Sequence, residues 1–387
     1  MFLIVLIDYG YRRDYSRYKA DKYPVKHRRK VPFAPSLRLG PEYRYLLKQI
    51  RGLEQDLDSM VLSDTDYLEL VSEAFTSNIH WSVALEGNPM TEEEVRRVTG
   101  SFFDGEVDDS PYGHVQEILN HLHSFFWKDE LSLPWRAGVV STVHSLLTQD
   151  VGRGYSPGIL RTVFSSIEGG DGFEYFHTCP PEHILTELDS LLDWLNHSPY
   201  DEIVTAALFF HEFQSIHPFT DGNGRTGRTL FHLLLQELGL PNSKLCMIEK
   251  HLLQRPDIYY NLLAYTDQMN DYEPFVMYVT ESILKAYEEA FGTLKEKDVL
   301  SKVDEVSRQL VIRSKRGGWF TLGEAVTWSG GLSEQSVSRR LRDLQGLGVI
   351  EKTGRTKATR FRFKTPFQDL KERSMRRFHE QVTLDGL

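Results

Sequence analysis

One stretch decides the fold of this chain: HPFTDGNGRTGR, which runs from His217 to Arg228. Its last eight residues include three glycines, two arginines, an Asn and an Asp, a composition typical of an exposed turn. Apolar residues recur at helical spacing over 203–213 before it and over 230–238 after it. The stretch is therefore predicted to be a loop that opens a helix, where free N–H groups and two guanidinium groups suit an anion such as phosphate.

Two generic phosphate-binding motifs also fit the glycine spacing. Gly222, Gly224 and Gly227 satisfy G-x-G-x-x-G, and Glu249 follows at the distance that a dinucleotide-binding fold requires. The same segment matches a Walker A loop in which Arg228 replaces the lysine. Both motifs must follow a buried strand, whereas the preceding segment has a helical pattern. We therefore prefer a helix–loop–helix arrangement to either of them.

A zinc-peptidase motif is a third alternative for the same region. His211 and Glu212 begin like H-E-x-x-H, but the next histidine, His217, lies six residues after the first instead of four. On a helix this spacing places the two imidazoles on different faces. We expect no metal site of this type.

The whole stretch resembles the signature of the Fic (filamentation induced by cAMP) family, H-x-F-x-[DE]-G-N-G-R-x-x-R, at every fixed position. The resemblance extends over roughly residues 70–296. It implies a mainly α-helical domain with a β-hairpin flap. It also implies a transferase that moves AMP from ATP to a Ser, Thr or Tyr hydroxyl of a target protein and releases pyrophosphate. A homodimer is expected by the same analogy.

The resemblance gives two loop residues a direct part in the reaction. His217 is expected to be the general base that takes the hydroxyl proton. Asp221 is expected to bind Mg²⁺ through a carboxylate oxygen. The alternative for Asp221 is a purely structural role as a helix N-cap.

Other residues are expected to hold the nucleotide. Those assigned by the resemblance are Gly222, Asn223 and Gly224 for the α-phosphate, Arg225 and Arg228 for the β- and γ-phosphates, and Tyr259 and Tyr260 for the remainder of the nucleotide. Planar guanidinium groups match phosphate oxygens geometrically. The alternative for Arg225 is a structural ion pair with an upstream carboxylate.

A second motif, SVALEGN at Ser82–Asn88, resembles the family's inhibitory helix, [ST]-x-x-x-E-[GN]. If Glu86 pairs with Arg228, that arginine cannot hold the γ-phosphate in its productive place. Ser82 lies one helical turn before Glu86 and is expected to steady the Glu86 end of the pair. The alternative is that Glu86 is a solvated residue ahead of a Gly-Asn helix stop.

Residues Thr162–Thr178 (TVFSSIEGGDGFEYFHT) break the helical pattern, because β-branched and aromatic residues flank a Gly-Gly-Asp-Gly turn. This arrangement is typical of a β-hairpin. The resemblance makes it the flap on which an extended target segment docks as an added strand. A purely structural hairpin is the alternative.

Four regions are expected along the chain. They are an N-terminal arm and helix at 1–60, the catalytic domain at 61–296 with the inhibitory helix near 75–88, a winged helix-turn-helix at 300–364, and a tail at 365–387. Residues 11–30 are basic, rich in Tyr and without periodicity, so we expect an extended, solvated arm there, with an arm ordered against another surface as the alternative. The opening MFLIVLI is too short to span a membrane and has no basic residues or cleavage site, so it is predicted to be a short strand and not a signal peptide.

The C-terminal region is basic in a chain whose formal net charge is −10: residues 301–364 carry 14 Lys and Arg against 6 Asp and Glu. Three helices and a basic hairpin are predicted, at 303–315, 321–328, 333–347 and 349–363. In the third helix the residues expected on exposed faces are Ser336, Arg339, Arg340 and Arg342. This pattern favours contact with duplex DNA, with docking to a protein as the alternative.

The composition is that of an ordinary globular chain, 40% hydrophobic and 26% charged, which excludes collagen, coiled coils and membrane bundles. Cys179 and Cys246 are the only cysteines, too few for a disulfide scaffold or a four-thiolate zinc site. Because disulfides are rare in reducing compartments, a cytoplasmic protein is expected.

These observations favour a self-inhibited protein adenylyltransferase with ATP as substrate, Mg²⁺ as cofactor and an appended winged-helix domain. Two alternatives stay open. In the first alternative, the chain is a DNA-binding regulator that uses a non-catalytic Fic fold to sense nucleotide. In the second, it is an enzyme that keeps the loop but either removes AMP or uses another phosphate-bearing donor. The intact set of loop residues favours the transferase.

Overall fold

The computed structural model describes residues 13–104, 113–126, 131–152, 156–168, 173–315, 318–354 and 358–364. The predicted N-terminal strand and the tail at 365–387 lie outside the described residues. None of the described helices combines the length and the apolar character that a membrane span requires.

The larger part of the described chain is helical, as predicted. Its helices are α1 Pro41–Ser59, α2 Asp64–Leu85, α3 Glu92–Asp104, α4 His114–Phe126, α5 Ala137–Thr148, α6 Ile184–Asn196, α7 Glu202–Ile216, α8 Asn223–Glu237, α9 Ile248–Leu253, α10 Pro256–Met269 and α11 Glu273–Lys297. Helix α7 lies at the centre, because every residue from Ile203 to Ile216 is buried. Its first turn is capped by the Asp201 carboxylate, which accepts the N–H groups of Ile203 and Val204.

A small sheet covers one side of these helices. Strands β2 (Ser166–Glu168) and β3 (Glu174–His177) are antiparallel and lie within the segment predicted to be a hairpin. Strand β1 (Val25–Lys26) comes from the N-terminal arm and pairs with β3 in parallel, with Val25 opposite Phe176. The strand order is therefore β1-β3-β2, and the arm supplies an edge that sequence reasoning did not predict.

The prediction of a solvated arm is only partly right, because many of its described residues are exposed but the arm is ordered against the rest of the protein. Val25 and Phe33 are buried, and the Lys30 ammonium group lies 2.6 Å from Glu212 and 3.3 Å from Asp267. The side chains of this extended segment contact several different elements, so its buried residues do not recur with a helical or strand period. Hydrophobic periodicity therefore could not show that parts of the arm are buried. The basic residues were read as a solvent-facing feature, whereas Lys30 neutralises acidic side chains inside the protein.

The C-terminal part contains α12 (Glu305–Lys315), α13 (Leu322–Trp328), α14 (Glu334–Gly346) and the antiparallel strands β4 (Ile350–Thr353) and β5 (Arg360–Phe363). These elements occur in the predicted order. They enclose their own apolar core, which also includes Val61 and Val299 from the larger part.

Two of the four exposures predicted for α14, those of Ser336 and Arg340, are wrong. Arg339 and Arg342 are exposed, but the side chain of Arg340 is only 16% exposed. Its Nε atom lies 3.0 Å from Asp304 and its Nη1 atom 2.6 Å from the hydroxyl of Ser336, which is itself half-buried. The carboxylate of Asp304, the residue before α12, draws Arg340 back onto the protein surface, and sequence spacing could not show this.

The buried arm leads to a stability prediction. Lys30→Met removes the cation that neutralises Glu212 and Asp267 but keeps most of the side-chain volume. Because breaking a buried ion pair leaves uncompensated charge, we expect the free energy of unfolding to fall by about 3 kcal/mol in urea denaturation. Lys26→Met, at an exposed position of the same arm, is the matched control and should cost less than about 0.5 kcal/mol. Equal losses in the two variants would contradict the assignment.

Candidate active site

The loop between α7 and α8 is held by its own side chains. Helix α7 ends at His217, which has a left-handed backbone with φ 53° and closes the helix through its N–H group on the Phe213 carbonyl. The Asn223 side chain accepts the N–H of Phe219 and donates to its carbonyl, both at 2.8 Å. Gly222 has φ 73°, and a Cβ there would meet Thr148 at 2.9 Å. The Asn223 amide therefore closes the loop from within.

His144 on α5 supports this loop from below, and sequence reasoning missed it. Its ring stacks on Phe219 with the centroids 3.7 Å apart. Its Nδ1 accepts the N–H of Gly158 at 2.9 Å, so Nε2 must carry the proton and donate to the Asp221 carbonyl, also at 2.9 Å. Burial lowers the pKa of His144 to about 4, which keeps this tautomer neutral.

His217 is placed as a base. Its Nδ1 lies 3.3 Å from the Gln214 carbonyl and must donate to it, because a carbonyl can only accept. In the neutral ring Nε2 therefore keeps its lone pair. Burial lowers the pKa of His217 to about 4, although the charge of Glu86 works in the opposite direction. The imidazole is consequently unprotonated at neutral pH and able to accept a proton.

A cavity of about 550 Å³ lies beside the N-terminus of α8, between α10 and strands β2 and β3. The predicted site residues that line it are Glu86, His217, Gly224, Arg228, Tyr259 and Tyr260. Tyr259 is buried and Tyr260 is exposed. Ser82, Asp221, Gly222, Asn223 and Arg225 lie around the cavity without lining it, as far as the described residues show.

Glu86 and Arg228 form an ion pair in which Nη2 lies 2.8 Å from Oε1. The guanidinium group is 2% exposed and also donates to Ser82, through Nε to the hydroxyl at 2.8 Å and through Nη2 to the carbonyl at 3.0 Å. Burial opposes ionisation of Glu86, but Arg228 outweighs it and holds the pKa of Glu86 below its ordinary value. Ser82 was expected to contact the Glu86 end of the pair, but it contacts Arg228.

The Glu86 carboxylate lies directly against the first turn of α8. A Cβ added at Gly224 would collide with Glu86 Oε1 and would lie 3.0 Å from Nη1 of Arg228. Helix α8 begins without a side-chain cap at Gly222. Because the first N–H groups of a helix have no partner within it and attract anions, Glu86 occupies the position that suits a phosphate.

Arg225 is directed away from the cavity. Its buried guanidinium group forms a short ion pair with Glu117 on α4, and it lies 3.7 Å from Asp221. Glu117 in turn accepts a hydrogen bond of 2.6 Å from Asn88, at the end of the Ser82–Asn88 motif. In this conformation Arg225 therefore has the upstream carboxylate partner that was the structural alternative. No pattern among the residues indicated which carboxylate this would be.

A buried arginine links the loop to the hairpin. Arg161 is 4% exposed and donates through Nε to the His217 carbonyl at 2.7 Å, through Nη1 to the Val163 carbonyl at 2.8 Å and through Nη2 to the Thr178 hydroxyl at 2.9 Å. Val163 and Thr178 lie at the two ends of the predicted hairpin segment. One side chain therefore fixes the base of the hairpin against the carbonyl of His217.

Comparison with curated proteins shows several relatives. The chain is 32% identical to protein adenylyltransferase fic-1 of Caenorhabditis briggsae over 123 residues, which are 31% of this chain and 23% of that protein. It is 27% identical to protein adenylyltransferase Fic of Nematostella vectensis over 259 residues, 62% of this chain and 55% of that protein. The chain thus spans between about a quarter and about half of the length of these relatives.

Solved structures share the fold. A Fic family protein from Desulfovibrio desulfuricans G20 superposes with a TM-score of 0.58 and 24% identity, covering 86% of this chain and 98% of that one. Residues 134–508 of Fic-1 from Caenorhabditis elegans superpose with a TM-score of 0.53 and 22% identity, covering 66% and 73%. Residues 135–235 match the model of the Fic/DOC family, so the resemblance seen in the loop is confirmed for this region of the chain.

Proposed function

We propose that the protein is a self-inhibited protein adenylyltransferase, which transfers AMP from ATP to a hydroxyl group of a target protein. The observation that carries the proposal is the position of His217, Gly224 and Arg228 on the wall of one cavity. This combination offers a base, a helix N-terminus and a guanidinium group within one site. Relatives named protein adenylyltransferase support the same activity.

His217 acts on the attacking hydroxyl group. Nε2 accepts the hydroxyl proton as the oxygen attacks the α-phosphorus of ATP, the bond from the α-phosphorus to the bridging oxygen breaks, and pyrophosphate leaves. The hydrogen bond from Nδ1 to the Gln214 carbonyl fixes the tautomer that this step requires. Because burial keeps the imidazole neutral, the base is available without prior loss of a proton.

The phosphates are held by backbone and by Arg228. The N–H groups of the first turn of α8 bind the α- and β-phosphates, and Arg228 binds the γ-phosphate. We assign Asn223 to holding the loop, since its amide is bonded to Phe219. Arg225 reaches a phosphate only if it leaves Glu117.

Asp221 fits a magnesium ion. Its side chain is 54% exposed and one oxygen accepts the N–H of Gly222 at 2.6 Å, which leaves the other directed to solvent. A single carboxylate suits Mg²⁺, which keeps most of its waters and bridges phosphate oxygens. When bound, the ion neutralises charge on the departing pyrophosphate.

Inhibition follows from the place of Glu86. Its carboxylate is bonded to Arg228, the group assigned to the γ-phosphate. It also lies against Gly224, in the first turn of α8, where the neighbouring phosphates would bind. ATP then binds without its γ-phosphate on Arg228, and its α-phosphorus is not aligned with the attacking hydroxyl group. The alternative to AMP transfer is the removal of AMP from a modified target protein, a reaction in which the Glu86 carboxylate would position the attacking water.

The target segment docks on the outer edge of β2. The flap predicted from the sequence has two edges, but β1 of the arm already pairs with β3. The described sheet ends at β2, and next to it the side chains of Val163 and Phe164 are more than half exposed. A target strand therefore finds free backbone groups and apolar contacts there.

The C-terminal elements α12–α14, β4 and β5 are proposed to be a winged helix that binds duplex DNA. The observation in favour is that Arg339 and Arg342 are exposed on α14, within a region of net positive charge. Assembly into a homodimer also remains a proposal, which sedimentation equilibrium would test.

The inhibitory contact gives the sharpest prediction. Glu86→Gly frees Arg228 for the γ-phosphate, and we expect about 10²-fold more AMP transfer from α-labelled ATP, equivalent to about 2.7 kcal/mol. The double variant Glu86→Gly, Arg228→Ala should be as inactive as Arg228→Ala alone. Activation that survives in the double variant would show that Glu86 acts through another group. Loss of AMP from a pre-labelled target only when Glu86 is present would favour the removal reaction.

The pKa of His217 predicts the pH dependence. The base is active when neutral, so activity is lost as the pH falls through its pKa. Since burial places that pKa near 4, kcat/KM of the unaltered protein should be flat from pH 8 to about pH 5 and fall below it. An acid limb centred near 6.5, the ordinary value for histidine, would contradict this placement. His217→Ala should be inactive throughout while it retains most of its affinity for ATP.

DNA binding is tested by the exposed arginines of α14. Changing both Arg339 and Arg342 to Ala should weaken binding of the full chain to duplex DNA and reduce the salt dependence by about one counterion per lost phosphate contact. Arg313→Ala, at an exposed position of α12, is the matched control and should change binding less. Absence of binding by the unaltered chain at low salt would favour docking to a protein.

A further inference from the structure

Three side chains outside the active-site cavity converge where the arm, the hairpin and α6 meet. His27 directly follows β1, Cys179 lies two residues after β3, and Glu187 is in the first turn of α6. Their potential ligand atoms, one nitrogen, one sulfur and one oxygen, all lie within 4.8 Å of one another. Three segments far apart in the chain thus bring three different donor types to one point.

The cluster is buried, and two of its polar atoms lack a hydrogen bond. The side chain of His27 is 2% exposed and that of Glu187 is 1% exposed, and Cys179 is fully buried. Among the described residues, neither Nε2 of His27 nor Oε1 of Glu187 has a hydrogen-bond partner. The nearest cation, Nε of Arg29, is 3.6 Å from Oε1, and its side chain is 57% exposed. Such unpartnered atoms are costly inside a protein unless something else binds them.

The hydrogen bonds behind His27 direct a lone pair into the cluster. The Ser215 hydroxyl donates to the Asp267 carboxylate at 2.8 Å, so its proton is already used. Nδ1 of His27, 2.8 Å from the Ser215 oxygen, must then be the donor. In the neutral ring Nε2 carries a lone pair, and it lies 3.7 Å from Oε2 of Glu187. In this neutral form, two electron-pair donors face one another across the cluster.

The hydrogen bonds from His27 to Ser215 and from Ser215 to Asp267 are of the kind that orients a metal-binding histidine. The ring nitrogen opposite the metal usually donates to a carboxylate, a carbonyl or an intervening polar group, which fixes the tautomer. Here Ser215 and Asp267 do this for His27, and the N–H of Lys30 holds the other oxygen of Glu187 at 3.1 Å. The thiol of Cys179 has only a long contact of 3.5 Å to the Pro180 carbonyl.

We propose that Nε2 of His27, Sγ of Cys179 and a carboxylate oxygen of Glu187 bind one zinc ion. Zinc accepts nitrogen, sulfur and oxygen at about 2.0–2.3 Å, so neighbouring ligands in a tetrahedral site lie about 3.5 Å apart. The three atoms, now within 4.8 Å of one another, would need to approach by about 1.3 Å at most to reach that spacing. Binding releases the thiol proton to solvent, and the two negative charges of thiolate and carboxylate then balance the ion.

The fourth position of the ion is taken by water. Three protein ligands with one open position are a common zinc arrangement. The ion links the arm to the base of the hairpin and to α6. Ser215, which orients His27, lies two residues before His217, so the zinc site supports the same end of α7 that carries the proposed base.

Metal content and cobalt spectroscopy test the proposal without ATP. Tag-free full-length protein, supplied with zinc and dialysed against metal-free buffer, should retain about one zinc per chain. Cobalt in its place should show a thiolate-to-cobalt charge-transfer band. Cys179→Ser should lose the band, whereas Cys246→Ser, the matched control at the other buried cysteine, should keep it. A band that persists in Cys179→Ser, or no retained zinc, would overturn the proposal.

A second variant covers the case in which Cys179→Ser fails to fold. His27→Gln keeps the side-chain volume, and it should retain the helical circular dichroism of the parent but lose zinc at least tenfold more readily to a chelator. Unchanged zinc retention in this variant would overturn the proposal, as would nitrogen chemical shifts showing His27 doubly protonated in the presence of zinc. His217→Ala should bind zinc as the parent does, so failure of the proposed transferase activity and failure of the zinc site are separate results.

Discussion

The ion pair between Glu86 and Arg228 is the interaction around which the site is arranged. Helix α8 begins without a side-chain cap, and its first turn therefore attracts anions. Glu86 supplies one from the end of α2, 142 residues earlier in the chain. Its carboxylate fits only because Gly224 has no Cβ. The same absence of a side chain that would suit a phosphate also admits the Glu86 carboxylate.

Around this pair, the loop is built to hold its shape without a nucleotide. Asn223 closes the turn, His144 supports it from α5, and Arg161 fixes the His217 carbonyl to both ends of the hairpin. None of these contacts depends on phosphate. The site is thus organised in advance, and Glu86 and Arg225 are the parts whose partners must change for the proposed reaction.

Sequence reasoning predicted the parts that depend on local pattern. Helical spacing located α7 and α8, and the Ser82–Asn88 motif indicated the contact of Glu86 with Arg228. It failed where a partner is chosen by tertiary distance. Nothing in the order of residues says that Arg225 pairs with Glu117, 108 residues earlier, or that Asp304 turns Arg340 away from solvent. The arm was misjudged for a related reason, because extended segments bury side chains without any period.

The arm also has a consequence for the order in which the protein assembles. Arg13 bonds to Glu273 at 2.7 Å and Tyr15 to Glu281 at 2.8 Å, across more than 250 residues of sequence. During synthesis the arm leaves the ribosome before the helices, but Glu273 and Glu281 of α11 are made more than 250 residues later. Contacts of such long range form late and slow the approach to the native state. A basic, tyrosine-rich segment therefore lacks these two partners during translation of most of the helical domain, and its contacts with α11 can form only afterwards.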